Sequence, residues 1–290
     1  MADKPPTVSI GMAVYNEARF VRQGLDSLLA QEFCDFELII SDNASEDATA
    51  EICRDYASRD HRIRYYRNER NLGAVENFNY VFKLSLGEYF MWANGHTVWS
   101  PEFISSCVQV LQQDPSIMLC YPQTAWTNAQ GEVLRVSPVG LDTRDCPPVP
   151  RFNLVIWKFS FAYCDPFYGL MRSAALRQVI PLRVISGADV LLVARLSLLG
   201  ALAQIPRPLL YYRVKWDAET PNETRRRVLK ALDPRRHSYW LVYLRTVYEC
   251  FRTVKWAPVD YVLKALLMAS LAVWLSERLI RRWIRLSEVS

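Results

Sequence analysis

The residues of this chain best suited to chemistry are a run of short polar side chains, Ser41-Asp42-Asn43-Ala44-Ser45-Glu46-Asp47. They follow directly on an apolar, β-branched stretch from Phe36 to Ile40. Such a stretch reads as a buried strand, and in open α/β sheets ligands gather at the carboxyl ends of strands. The pattern predicts that Asp42 stands at the mouth of a cleft, with no basic residue within five positions on either side. A carboxylate there accepts N–H groups from a nucleobase or hydroxyls from a sugar ring. The cluster also has a plain structural use. Asp42 and Ser45 can tie off a turn, and Ser45 or Asp47 can cap the helix expected from Ala48 to Tyr56. Spacing alone leaves both readings open.

A second carboxylate, Asp189, follows Ser186-Gly187-Ala188 and opens an apolar helix from Val190 to Leu199. It is the only acidic residue between positions 166 and 216. Its place also suits stabilisation of a helix amino terminus. Other chemistries are argued against. No G-x-G-x-x-G or G-x-x-x-x-G-K-[ST] follows any strand, which speaks against a dinucleotide or P-loop site. The seven cysteines (34, 53, 107, 120, 146, 164 and 250) show no C-x-x-C spacing and read as small hydrophobes of a reducing compartment. The polar opening Met1-Ala2-Asp3-Lys4-Pro5-Pro6 carries no secretory signal pattern, so a cytoplasmic protein is expected.

The elements that must position these groups alternate. Thr7 to Val14 is a near-continuous apolar run ending in Tyr15-Asn16-Glu17, and Phe20, Val21, Leu25, Leu28 and Leu29 then recur at helical spacing. Phe36–Ile40 and Ile63–Arg67 repeat the strand signal, a loop at Asn68–Gly73 and a helix from Val75 to Leu84 follow, and Gly87-Glu88 leads into Tyr89–Trp92. Strands alternating with helices predict a parallel sheet with right-handed crossovers. Ser100 and Pro101 predict a helix start, Ile117–Tyr121 a strand, and Asn128–Glu132 a turn. Cys146-Pro147-Pro148-Val149-Pro150 is read as a mobile connection.

In this order, Val8-Ser9-Ile10 with Tyr15-Asn16-Glu17, the Ser41–Asp47 cluster, Asn71-Leu72-Gly73 and Gly87-Glu88-Tyr89 resemble the inverting GT-A glycosyltransferases of family 2 over roughly residues 6–215. The resemblance implies a nucleotide-sugar donor, with Tyr15 flanking the base and Asp42 accepting its N–H. Asn16, Glu17 and Asn71 would line the ribose and phosphate approach. The same donor side takes in Ala13, Asn43, Gly73 and Trp92. By position Asp189 matches the family's general base, which takes the acceptor proton on the face opposite the leaving diphosphate. The aromatic stretch Trp157–Tyr168 falls beside the acceptor, with Asp165, Phe167 and Tyr168 as candidates for that side.

Two departures from the family concern the metal. Where its members carry aspartates of the D-x-D kind, this chain has Trp92-Ala93-Asn94-Gly95-His96-Thr97, with no carboxylate between Glu88 and Glu102. Where many relatives place a metal-binding histidine, this chain has Lys215, two residues after Arg213. Asn94 and His96 make a poor Mg²⁺ site. Lysine and arginine neutralise a diphosphate directly. The expectation is a donor site that requires no metal, with Mg²⁺ or Mn²⁺ as the alternative.

Charge is uneven along the chain. Residues 221–290 hold 14 basic and 6 acidic residues, a balance of +8, against −3 for the rest. This helical, Trp- and Arg-rich tail suits an anionic membrane surface or a contact in a homodimer, and no nucleic-acid motif appears. The expected architecture is a GT-A mixed α/β sheet in an αβα sandwich over residues 1–220, with a helical extension over 221–290. The expected function is inverting transfer of a sugar from a UDP-, GDP- or dTDP-sugar to a glycan, lipid-linked or small-molecule acceptor, at the cytoplasmic face of a membrane. The alternative is an inactive GT-A pseudoenzyme serving as a membrane-docked assembly factor.

Overall fold

The computed structural model describes residues 4–138, 140–158, 165–185, 187–214, 239–255 and 260–287. Among these residues the centre is a mixed sheet of nine strands. Strands β1 (Val8–Val14), β2 (Phe36–Asp42), β3 (Ile63–Arg67) and β4 (Tyr89–Ala93) are parallel in the order β3-β2-β1-β4. Helices α1 (Val21–Leu29), α2 (Thr49–Arg59) and α3 (Ala74–Lys83) provide the crossovers. The sheet continues with β8 (Leu170–Arg172), antiparallel to β4, then β6 (Ile117–Thr127), β9 (Ala201–Arg213) and β5 (Thr97–Trp99). The exposed β7 (Val133–Val136) pairs with β6.

Helix α4 (Phe103–Gln113) joins α1 and α2 on one face. The other face carries α3, α5 (Pro148–Lys158), α6 (Ser173–Val179) and α7 (Ala188–Leu199). Strand parity divides the core between them. Phe90 and Trp92 point to the α3 face, while Tyr89, Met91 and Ala93 point to the α1 face. The αβα expectation holds. Within the tail, α8 (Tyr239–Lys255) and α9 (Tyr261–Ser287) are described, and Cys250, Val254, Leu267 and Leu271 join the core of the α3 face.

Two local expectations are corrected. Pro148 opens α5 where a mobile connection was expected. Proline is at home in a first helical turn, where its missing N–H has no partner to lose. Helix α4 begins at Phe103, and Ser100 accepts the Phe103 N–H through its carbonyl (3.0 Å) instead of capping with its side chain.

Candidate donor and acceptor site

The carboxyl ends of β1 and β2 are stitched together by their loops. The Asn16 N–H donates to Ser45 Oγ (3.0 Å), and Glu46 N–H donates back to Asn16 Oδ1 (2.9 Å). Asp47 accepts the Thr49 N–H at Oδ1 and the Ala18 N–H at Oδ2, while Ala48 holds the cap position of α2 without a side-chain bond, which corrects the expected capping by Ser45 or Asp47. Tyr15 stands 41% exposed at the end of β1, and Ala13, half-buried, lies in register with Ser41.

Asp42 is not at the mouth of a cleft. It is wholly buried, and although no basic residue lies within five positions of it in sequence, the sheet register sets Arg67 of β3 directly opposite. Its carboxylate accepts from Arg67 Nη1 (3.1 Å), Tyr65 Oη (3.1 Å) and the Ser45 N–H (2.9 Å). Burial and this carboxylate push the Tyr65 hydroxyl up to about 12.

Asn43, also buried, ties the neighbouring loop. Its Nδ2 donates to Asn71 Oδ1 (2.9 Å) and its Oδ1 accepts the Leu72 N–H (2.9 Å). Asn71 Oδ1 in turn accepts the Gly73 N–H at 2.8 Å. Gly73 adopts φ 88°, a conformation that strains any other residue. Trp92 is fully buried. It stacks on Phe167 at 4.7 Å and donates to the Phe78 carbonyl (3.1 Å). Trp92 and Phe167 are therefore core residues, and their expected places against donor and acceptor are corrected: strand parity turns Trp92 into the core of the α3 face, and Phe167, in the turn Asp165–Tyr168, packs onto it there.

The loop after β4 closes back on the turn after β1. His96 Nδ1 lies 3.0 Å from Glu17 Oε1, and a Cβ added to Gly95 would stand 2.7 Å from the Glu17 Cβ. Asn94 Oδ1 accepts from Thr97 Oγ1 (2.7 Å) and the His96 N–H (3.2 Å). At the end of β9, Arg213 is only 6% exposed. Its Nη2 donates to Gln23 Oε1 (2.7 Å) and its guanidinium lies 4.5 Å from the Phe20 ring centre. Its Nε and Nη1 have no hydrogen-bond partner among the described residues. Burial and the nearby Arg19 pull its guanidinium below the usual value. Gln23 and Phe20 were not foreseen; helical spacing shows which residues of α1 face the core, not that Gln23, outside that face, meets an arginine 190 positions later. Lys215 lies outside the described residues.

A ladder of rings links the donor and acceptor sides. Tyr212 of β9 contacts His96 (5.2 Å), Trp126 (4.9 Å) and Tyr168 (5.9 Å), and Tyr168 contacts Phe167 (5.2 Å). Asp165 opens the 3-10 turn Asp165–Tyr168, and burial raises its carboxyl against the pull of nearby Ser137, Thr124 and Arg135. Asp189 is the second residue of α7. Gly187 holds the cap position at φ 76°. Burial pushes the Asp189 carboxyl up to about 6, with the Val190 N–H and its own N–H opposing. Helix α8 braces this segment. Its buried Glu249 accepts from Arg195 of α7 (3.1 Å) and lies 4.0 Å from Arg183, so the two arginines flank Asp189 six residues away on either side.

The resemblance to GT-A enzymes implies a divalent metal, and the side chains present fit one poorly. Among the described residues no group of three His, Cys, Asp or Glu converges, and the pair Glu17–His96 offers one oxygen and one nitrogen.

The sheet order and its flanking helices define a GT-A glycosyltransferase fold. The chain superposes on Staphylococcus aureus TarS, solved in complex with UDP-GlcNAc, with a TM-score of 0.71 and 15% identity, covering 93% of this chain and 71% of that one. It also matches the mannosyltransferase PcManGT of Pyrobaculum calidifontis, solved with GDP-Man and Mn²⁺ (TM-score 0.59, 14% identity, 95% and 75% covered). The chain belongs to glycosyl transferase family 2, whose model matches residues 9–180. An uncharacterized glycosyltransferase of Rickettsia typhi is 34% identical over 108 residues, 37% of this chain and 33% of the relative. The putative glycosyltransferase EpsE of Bacillus subtilis is 29% identical over 109 residues, 37% and 39% respectively. The chain thus aligns with under half the length of each of these relatives.

Proposed function

We propose that this chain transfers a sugar from a nucleoside-diphosphate donor to an acceptor hydroxyl, with inversion at the anomeric carbon and without a metal ion. The observation that carries the reading is Arg213, a buried guanidinium with two N–H directions unfilled among the described residues. A desolvated cation of this kind is costly unless an anion completes it, and a diphosphate supplies the matching oxygens. That TarS was solved with a UDP-sugar and PcManGT with a GDP-sugar supports the donor class.

In the proposed step Asp189 takes the acceptor proton as the acceptor oxygen bonds to the anomeric carbon. The bond to the diphosphate breaks with its electron pair leaving on the nucleoside diphosphate. Arg213, aided by Lys215 and His96, stabilises that charge. Tyr15 flanks the base. Asp42 acts from beneath, holding the Ser41–Asp47 loop against Arg67 and Tyr65. The acceptor belongs to a glycan, a lipid-linked sugar or a small molecule, met at the cytoplasmic face of a membrane.

Calorimetric titration of UDP, GDP and dTDP, with Mn²⁺ and again with EDTA, tests the reading. One of them binding in EDTA, and failing with Arg213→Ala, is the expected result. Binding only with Mn²⁺ overturns metal independence. Donor binding with neither transfer nor hydrolysis overturns catalysis.

A further inference from the structure

Helix α9 has two unlike sides. Leu267 and Leu271 are buried against the catalytic domain, and Ser270 Oγ donates to Asn153 Oδ1 of α5 (2.7 Å). The opposite side faces out. Val262, Leu266 and Val273 are 71%, 53% and 59% exposed, with Ala269 exposed between them. Lys264 falls on the other arc. From Val262 to Val273 the strip carries no charge, on a helix of 27 residues that is about 40 Å long. Leu154 and Trp157 of α5, next to Asn153 and one turn along from it, extend the exposed apolar surface.

We infer that the outward strip of α9, with Leu154 and Trp157 of α5, docks in plane on an anionic lipid surface. Charge selects this occupant. The segment 221–290 carries +8, so two copies meeting through α9 would bring like charges together, whereas anionic headgroups complement them. An exposed apolar face within a strongly basic segment, with tryptophan at its edge, suits a helix that lies in the interface. No helix among the described residues is long and apolar enough to cross a membrane. Helix α5 packs on α7, the helix of Asp189, so docking holds the acceptor side at the lipid surface.

The test is co-sedimentation of the full chain with phosphatidylcholine vesicles, with and without phosphatidylglycerol. Binding should require the anionic lipid and weaken with salt. Leu266→Glu with Val273→Glu should weaken it by about tenfold or more, as should Val262→Glu alone if the double variant misfolds. Leu134→Glu, on the exposed β7, should leave binding unchanged. The proposal is overturned if the wild type stays in the supernatant, or if the strip variants bind as well as it does. Sedimentation velocity showing a dimer that these substitutions dissociate also overturns it, because a second copy then covers the strip. Nucleotide titration of the strip variants keeps a failure here distinct from a failure of the donor reading, since donor binding should be intact in all of them.

Discussion

His96 Nδ1 lies 3.0 Å from Glu17 Oε1, so the loop after the fourth strand is fastened to the turn after the first. Groups in direct contact couple energetically. His96→Ala and Glu17→Ala should each weaken nucleotide binding, and the double variant should lose less than the sum. A coupling of about 0.5–3 kcal/mol is expected from calorimetric affinities in the four-member cycle. Strict additivity would mean the pair does not act as a unit at the donor.

Arg213 separates binding from stability. Arg213→Met keeps the apolar stem against Phe20 and removes the unsatisfied charge. Buried ions replaced by apolar residues of similar size often leave stability unchanged or raised. The thermal midpoint should hold or rise while nucleotide affinity drops by about thirtyfold or more. A large fall in midpoint with affinity unchanged would make Arg213 a structural residue.

Asp189 predicts a pH dependence in two observables. Its carboxyl sits near 6 in the folded chain against 3.8 as its ordinary value. As a base it is lost on protonation, so kcat should fall below about pH 6, and Asp189→Asn should cost about 10²–10⁴ in kcat. For stability the sign runs the other way. The folded state binds the proton more tightly than the unfolded, so stability declines as pH rises through about 4 to 6. Asp189→Asn, with no charge to desolvate, should melt higher than wild type at pH 8 and converge with it near pH 4. Melting curves at the two pH values decide this independently of any substrate.

Asn43 joins two loops through one buried amide. Asn43→Ala strands the Leu72 N–H and one acceptor site on Asn71, at a cost of about 2–3 kcal/mol. The urea midpoint should fall with the m-value unchanged. A cost near zero would show that the loops hold without it.

The alternation of apolar runs and helical spacing announced the parallel half of the sheet, because those signals are local. What stayed hidden is what strand pairing decides. The five residues on either side of Asp42 are free of basic side chains, yet parallel register sets Arg67 opposite it. Parity placed Phe90 and Trp92 on one face, but only the packing of Phe78 and Phe167 shows that face to be closed. The Pro-rich stretch at 147–150 read as a loop because proline marks both a break and a helix start, and nothing nearby tells which. The helix that Asp189 opens was legible because an uninterrupted apolar run follows it.

Glu249 has a consequence for exchange of parts. One buried carboxylate anchors arginines ahead of and behind the residue proposed as the base, and it comes from a helix about sixty positions downstream. The carboxyl-terminal helices are thus no interchangeable appendage. A chimera that grafts another relative's tail onto this sheet leaves two arginines without their shared carboxylate unless the graft brings an acid to the same spot.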